Sequence, residues 1–170
     1  MIKFSCEKVF LQNAIAVTSR AVAQKSSIPA LEGLLIHADQ QLTISGYNMQ
    51  TGIRTNVFAN VVEGGDIVLN ARLFGDIIRR MPDDMITFTA DEKMMVHVSC
   101  GDADFDILGL SAADYPDLPE VEDEYAVSMQ QKVLRSMIEE VAFAVSTNES
   151  RPVHTCLLYT SDAADDRISV

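Results

Sequence analysis

Three aspartates recur at every second position near the middle of the chain. Asp102, Asp104 and Asp106 would share one face of a β-strand, because alternate side chains of a strand point to the same side of its sheet. Three carboxylates together are ligands that Mg²⁺ or Ca²⁺ accepts. The segment has neither the glycine nor the terminal glutamate of an EF-hand loop, and no second acidic cluster is spaced to complete a nuclease site. We therefore predict a solvated strand face rather than a metal site.

The other side chains that commonly carry catalysis are scattered along the chain. His37 and His97 have no neighbour in the sequence that is spaced as a metal ligand or as the partner in a catalytic triad. The glycine-rich patterns that bind nucleotides and the GxSxG pattern of serine hydrolases do not occur. The sequence thus predicts a protein without catalysis, metal or cofactor.

Phe105 and Ile107 alternate with the aspartates and would face the opposite side of the same strand. This strand is the last one before an acidic segment with two prolines at residues 110–124, so we expect it at the edge of a sheet. An edge strand that exposes apolar side chains pairs with another chain or aggregates. The alternative is that both side chains pack in the core, and the sequence leaves these two interpretations open.

The elements that would position these residues are joined mostly by short turns. Short apolar or alternating runs indicate strands at residues 2–6, 31–38, 42–45, 53–62, 66–69, 85–90, 94–100, 102–108 and 125–128. A helical period of apolar residues indicates helices at residues 7–25, 71–80 and 130–146. Consecutive strands joined by tight turns give antiparallel pairs, so the sequence predicts an α+β fold with largely antiparallel sheets.

The segment that follows residue 124 repeats the start of the chain. With an offset of 123 positions, Leu11 matches Leu134 and Ile15 matches Ile138. The order of a strand followed by a helix recurs as well. Agreement of both residue pattern and element order indicates an internal repeat, and it predicts that a second domain of the same kind begins near Tyr125.

The charges are distributed unevenly between helices and other segments. The chain has 13 basic and 25 acidic residues and a net charge of −12, but the predicted helices, counting Lys25 at the end of the first, hold eight basic and four acidic ones. One interpretation is the ordinary preference of Lys and Arg for helices. The other is a two-faced protein whose helices contact a phosphate backbone while its acidic strands and loops face away.

Composition excludes several classes of protein. No apolar run approaches the roughly 20 residues that a membrane-spanning helix needs, and the N-terminus has no pattern of a secretory signal. The three cysteines are far apart, which does not fit a disulfide framework and suits a reducing compartment. We therefore expect a cytoplasmic protein without a membrane partner.

The chain contains, in this order, the segments MIKF, IPALEGLLIHA, NARLFGDIIRRMP, FDILGLSAADYPDLP and AFAVSTNESRPV. Together they resemble the N-terminal part of the bacterial replicative sliding clamp, the beta subunit of DNA polymerase III. The resemblance implies the DNA-clamp fold, with two helices per domain, three domains per chain, and two chains joined head to tail in a ring around double-stranded DNA. It also implies a non-catalytic processivity factor whose other partners are the polymerase III core and the clamp loader.

The resemblance also implies roles for individual residues. Lys25 and Arg72 match positions that contact the DNA backbone, while Phe105 and Ile107 match the apolar strand that meets the neighbouring subunit. In the second domain, four residues match or lie among DNA-proximal positions: Asn148, Arg151, Pro152 and Val153.

The end of the chain departs from the family pattern. Residues 156–170 read CLLYTSDAADDRISV, which resembles the translation of a sequencing adapter, and we exclude them from reasoning about the fold. The expected organisation is a first clamp domain at residues 1–124 and the truncated start of a second at residues 125–155. The rival hypothesis is an acidic α+β protein-interaction module that does not bind DNA, and the net charge favours it.

Overall fold

A computed structural model describes residues 1–119, 128–148 and 150–157. Contacts divide the chain into two units, Met1–Glu120 and Val121–Val170. The described part of the first unit contains two α-helices, α1 (Lys8–Thr18) and α2 (Ala71–Arg80). Its strands are β1 (Ile2–Glu7), β2 (Gly33–Ala38), β3 (Leu42–Tyr47), β4 (Gly52–Val57), β5 (Asn60–Glu63), β6 (Gly65–Asn70), β7 (Met85–Ala90), β8 (Met95–Cys100) and β9 (Ala103–Leu108). The predicted α+β class is confirmed.

The strands form two sheets. One has five strands in the order β5-β1-β7-β8-β9, and the other has four in the order β4-β3-β2-β6. Every pairing between these strands is antiparallel, as the short connections predict. Strand β9 therefore lies at an edge of the larger sheet. Within the described part of the chain, no helix is long and apolar enough to cross a membrane.

One hydrophobic core joins both sheets and both helices. Alternate residues of β1 are buried, and Phe4 among them stacks on Phe88 of β7 with the ring centroids 4.5 Å apart. Phe74 of α2 meets the ring of Phe88 edge-on at 6.2 Å. Burying one such ring contributes about 1.5–3 kcal/mol, so these aromatic contacts fix α2 against the sheet. The exposed sides of α1 and α2 are consequently held in place by the core beneath them.

The predicted strand at residues 53–62 is wrong as a single element. Strand β4 pairs with β3 in the smaller sheet, whereas β5 pairs with β1 in the larger one. Phe58, at the break between them, is 82% exposed. Both strands are extended with similar alternation, so the sequence pattern does not reveal that the chain passes from one sheet to the other.

The predicted helix at residues 7–25 ends earlier, at Thr18. The Thr18 hydroxyl donates to the carbonyl oxygen of Ala14 at 2.7 Å, a back-bond typical of Thr in helices, and a 3-10 helix follows at Ser19–Ala21. Strand β3 passes so close that a Cβ at Gly46 would lie 2.2 Å from the Thr18 carbonyl oxygen. Only glycine permits that approach, so Gly46 allows β3 to pack against the end of α1.

The predicted extended surface segment at residues 110–124 is only partly correct. Leu110 forms a bridge with Val68 of β6, with N–O distances of 2.8 and 3.0 Å. Tyr115 is buried, and its hydroxyl donates to the carbonyl oxygen of Ser45 at 3.4 Å. This tyrosine packs in a second, smaller apolar cluster beside Leu31. Apolar side chains between the acidic residues thus attach the segment to the first unit; residues 120–124 lie outside the described residues.

The second unit contains helix α3 (Gln131–Val141), followed by a 3-10 helix at Ala142–Ala144. Adding 123 to the bounds of α1 and of the 3-10 helix after it gives these same ranges. The repeat inferred from the sequence therefore extends to the helical structure. Most of the predicted strand at residues 125–128 lies outside the described residues.

Candidate nucleic-acid interface

Arg72 lies in the first turn of α2, and the sequence before it determines where that helix begins. The Asn70 side chain accepts a hydrogen bond from the amide of Leu73 at 3.0 Å, which is the usual role of an asparagine N-cap. Ala71, Phe74, Ile77 and Ile78 are buried and fix the rotation of the helix. Arg72 is consequently directed outward and is exposed.

A groove of about 250 Å³ runs between α1 and α2, and two arginines lie along it. Arg72 and Arg79 are seven residues apart, which is two helical turns, so both lie on the same side of α2. Residues of α1, including Gln12 and Ala16, form the opposite wall. The two helices approach closely at Gly75, where a Cβ would lie 3.3 Å from Cγ2 of Ile15. Isolated glycines inside a helix pattern are the sequence signal that sometimes marks such an approach.

A second groove, of about 640 Å³, continues from Arg72 towards the loop after α1. Ser19, Gln24 and Glu32 line it together with Arg72. Lys25 follows Gln24 in the chain and is exposed, although it does not line the groove. The two grooves share Ser19, Ala71 and Arg72 in their walls, and we refer to them together as the channel along the helices.

The loop that carries Lys25 is held by hydrogen bonds to the elements around it. The Glu32 carboxylate accepts from the amide of Ser26 at 3.1 Å, and the Ser26 hydroxyl oxygen accepts from the amide of Ile28 at 3.1 Å. The amide of Ala23 donates to the carbonyl oxygen of Leu31 at 3.0 Å. The role of Glu32 was not predicted from the sequence, because it depends on a contact between a loop and a 3-10 helix.

Neither Lys25 nor Arg72 forms an ion pair with a carboxylate in the described part of the chain, whereas Lys8, Arg79 and Arg135 do. Lys8 is buried, with its Nζ 2.6 Å from the carbonyl oxygen of Met81 and 2.7 Å from Asp83 Oδ1. Arg79 pairs with Asp76 within α2. The burial of Lys8 therefore removes one positive charge from the helix surface, whereas the Arg79–Asp76 pair changes nothing in the count, because both residues were included in it.

The four remaining candidate residues lie in the second unit. The amide of Ser146 donates to the carbonyl oxygen of His154 at 2.9 Å, which closes the loop between them. The Asn148 side chain accepts from the amide of Ser150 at 3.0 Å. Arg151 is exposed and Val153 is 40% exposed, and Pro152 begins a 3-10 helix at Pro152–Thr155. The structure places these four on one loop. In the first unit, Arg72 lines the larger groove, and Lys25 follows Gln24, which lines the same groove.

The predicted subunit-contact residues differ in burial. Phe105 is 39% exposed on β9, whereas Ile107 is only 3% exposed and belongs to the core. Both point to the same side of the sheet, opposite Val98 and Val96 of β8. Ile107 lies deeper because the rest of the core covers it, so its side chain is not available to a second chain.

The three aspartates are not one carboxylate cluster. Gly101 and Asp102 form the turn before β9, and Gly101 has a positive φ of 59°. Only Asp104 and Asp106 share the strand face, where both contact His97 of β8. Within the residues that the structure describes, no group of three His, Cys, Asp or Glu side chains is arranged to hold a metal ion.

Comparison with known proteins identifies the fold that builds this interface. Residues 2–119 match the family model of the DNA polymerase III beta subunit, N-terminal domain. The chain belongs to this family. Its beta-subunit fold is also that of solved structures: the beta subunit from the DNA polymerase of Streptococcus pyogenes (32% identity, TM-score 0.82) and the DNA polymerase sliding clamp from Bacillus subtilis (28%, 0.83). Each of the two alignments covers 89% of this chain and 42% of the solved chain.

Sequence similarity to curated beta sliding clamps supports the same family assignment. The beta sliding clamp of Lactococcus lactis is 34% identical over 163 residues, which cover 91% of this chain and 43% of that protein. The clamp of Halalkalibacterium halodurans is 34% identical over 158 residues, with 86% and 41% covered. The chain thus spans less than half the length of these relatives. The predicted family and the clamp fold are confirmed, and the family's N-terminal domain accounts for both sheets, α1 and α2.

Proposed function

We propose that the chain is the N-terminal part of a sliding clamp, a processivity factor that encircles duplex DNA and tethers the replicative polymerase without catalysing a reaction. The family match over residues 2–119 carries this proposal. A closed ring resists dissociation by its topology, so each of its contacts with DNA can be weak and independent of base sequence. The polymerase III core and the clamp loader are its proposed protein partners, and the cytoplasm is its proposed location.

The channel along α1 and α2 is the proposed surface for the phosphate backbone in the first unit. Arg72 lies where its two grooves meet, without a carboxylate partner in the described part of the chain, and Lys25 is exposed on the adjoining loop. Guanidinium and ammonium groups bind phosphate by displacing counterions. Asn148, Arg151, Pro152 and Val153 are proposed as the DNA-proximal residues of the second unit.

The edge of β9 is the proposed contact with the next subunit. Phe105 supplies exposed apolar surface there, and the backbone of β9 pairs only with β8 among the described strands. Because Ile107 is buried, its proposed contribution is limited to its backbone. A head-to-tail contact of this kind joins two different surfaces and closes into a ring when the rotation between subunits permits.

The proposal includes the organisation of the chain. Residues 1–124 are the first clamp domain, residues 125–155 begin the second, and residues 156–170 derive from a sequencing adapter. The coincidence of α1 with α3 at an offset of 123 supports the second domain. The genomic sequence beyond codon 155 tests both statements: we expect it to differ from CLLYTSDAADD and to continue the repeat.

Duplex binding tests the DNA surface directly. Fluorescence anisotropy of a labelled duplex at low salt measures affinity for the 170-residue chain and for the Arg72→Ala and Lys25→Ala variants. The slope of log K against log salt is negative, and losing one phosphate contact reduces its magnitude by about 0.9. Each variant should show that change equally on two unrelated DNA sequences, since phosphate contacts carry no sequence information.

Arg54→Ala is the matched control. Arg54 is exposed on β4 and lines a groove with His37 and Tyr115, not the channel along the helices. It should leave both the affinity and the salt slope unchanged. An equal loss in all three variants, or no binding at any salt concentration, would contradict the proposed surface and favour the acidic interaction module.

Retention on circular DNA tests the topological part of the proposal. A chain with one complete clamp domain should pass off nicked circles during gel filtration, because it cannot close a ring. The full-length protein should stay on circles at high salt and leave once they are linearised. Salt-resistant retention of the 170-residue chain, lost on linearisation, would sink the proposal that it is a fragment of the ring.

A further inference from the structure

His97 lies on β8 between two carboxylates of the edge strand. Its Nδ1 is 2.9 Å from Asp106 Oδ1, and its Nε2 is 3.3 Å from Asp104 Oδ1. A carboxylate only accepts hydrogen bonds, so both contacts are satisfied together only when both ring nitrogens carry protons. That state is the imidazolium, and the arrangement is therefore specific for the charged form of the ring.

The neighbouring groups leave these two aspartates as the main electrostatic partners of His97. On β7, its cross-strand neighbour is Thr89, which does not titrate, and Thr89 in turn neighbours Lys3 of β1. At about 4.8 Å between strands, Lys3 lies roughly 10 Å away and is screened by solvent. Asp91, at the turn before β8, accepts from the backbone amides of Lys93 and Met95.

Strand β9 depends on β8 more than an interior strand would. Residues Ala103–Leu108 pair with β8 on one side, and no other described strand pairs with β9. On the outer face, the contacts from His97 are ion pairs between the two strands. Without the imidazolium charge, two carboxylates two residues apart on one face would repel each other.

We propose that His97 forms a pH-sensitive ion-pair link to the edge strand β9. Its imidazolium holds Asp104 and Asp106 to β8, and loss of its proton loosens the strand and raises the negative charge of the edge. With the proton the three groups carry one net negative charge, and without it they carry two. The direction of the His97 pKa agrees: the hydrogen bond to Asp106 raises it above 6.5, desolvation lowers it, and the charges of Asp106 and Asp104 and the Asp104 hydrogen bond raise it further.

The sign of the pH dependence follows from that direction. A raised pKa means that the folded protein binds the proton more tightly than the unfolded chain does. The stabilisation is complete below the ordinary histidine pKa and is lost as the pH rises through the raised value. Since β9 is also the edge proposed for subunit contact, the His97 ion-pair link would make the charge of that edge depend on pH. The link itself does not require a second subunit.

Solution NMR on the 170-residue chain tests the His97 ion-pair link. Imidazole shifts give the titration midpoint of His97, and amide hydrogen exchange, corrected for intrinsic rates, gives the protection of β9. Asp106→Asn should lower the midpoint and Asp104→Asn should lower it less, because the Asp106 bond is the shorter one. Protection of β9 amides should fall about two- to fivefold when His97 loses its proton, the range that exposed ion pairs produce.

His37→Gln is the matched control, since His37 pairs with one carboxylate, Asp66, in the smaller sheet. It should leave the protection of β9 and its pH profile unchanged. His97→Gln should abolish the pH dependence of that protection while keeping the dispersed spectrum of a folded protein. A midpoint unaffected by Asp106→Asn, or β9 protection that ignores the His97 titration, would overturn the proposal, whether or not the chain belongs to a ring.

Discussion

Helices α1 and α3 have the same length and the same place in the repeat, but their apolar faces have opposite surroundings. In α1, Leu11 is fully buried and Ile15 is 4% exposed. Their counterparts in α3, Leu134 and Ile138, are 45% and 40% exposed. Strands β3 and β4 and helix α2 pack against α1, whereas no residue of α3 is buried.

The comparison separates the formation of an amphipathic helix from the burial of its apolar face. The period of apolar residues determines that a segment becomes a helix and which side is apolar. Burial of that side requires partners, and for α1 these are strands that begin more than 20 residues later in the chain. Most of the stability of a helix in a protein comes from such packing, so equal sequence patterns need not give equally stable helices.

Truncating the matched leucines should break the comparison most clearly. Leu11→Ala leaves a cavity in the core and should lower the free energy of unfolding of the first unit by about 2–5 kcal/mol. Leu134→Ala removes an exposed side chain and should change stability by less than about 0.5 kcal/mol. Urea unfolding followed by circular dichroism and by amide exchange of each helix measures both. Similar losses for the two variants would mean that α3 has a buried face after all.

The ammonium group of Lys8 gives the next largest difference. Lys8→Ala leaves the Met81 carbonyl oxygen without its charged donor and should cost about 1–3 kcal/mol. The residue at the same place in α3 is Gln131, which is exposed, and Gln131→Ala should be neutral. Thermal unfolding of the two variants at one ionic strength gives the comparison. A neutral Lys8→Ala would show that water replaces the ammonium group without loss.

Much of the fold is predictable from the sequence because its elements are short and locally encoded. The strands β7 and β8 and the helix α2 were found from residue types alone. The division of residues 53–62 between two sheets was not, since β4 and β5 are distinguished only by their partners. The burial of Lys8 and Tyr115 likewise depends on residues more than 60 positions away in the sequence.

The candidate site divides in the same way. The exposure of Arg72 follows from the helical period. The edge position of β9 follows from its place before the acidic segment at residues 110–124. The sequence left core packing and exposure open for Phe105 and Ile107, because alternation places both on one side of β9 but does not measure how far the core extends under that side. The grooves on the helices were missed as well, since each is lined by residues from α1 or its following loop and from α2, which are distant in the sequence.

Helix capping should produce a smaller contrast, between α2 and α3. The Asn70 side chain caps α2, whereas Gln130, the N-cap residue of α3, makes no side-chain cap. Asn70→Ala should cost about 1 kcal/mol, and Gln130→Ala should cost nothing measurable. Because Arg72 lies two residues after the cap, DNA affinity at low salt should fall only in the first variant. An equal effect of both substitutions on stability would refute the assignment of Asn70 as the cap.

The smallest expected effect concerns the surface ion pair of α3. Arg135 Nε lies 2.8 Å from Glu139 Oε1, one turn further along the helix, with both side chains largely exposed. Glu139→Gln should weaken α3 by about 0.3–0.5 kcal/mol, and added salt should remove the difference because exposed charges are screened. In a helix packed on a core, so small a change in stability would be hard to detect. Helix α3 buries no residue, so its helix content should respond directly. Amide exchange of α3 at low and high salt measures this, and an effect that persists at high salt would indicate packing around Glu139 rather than charge.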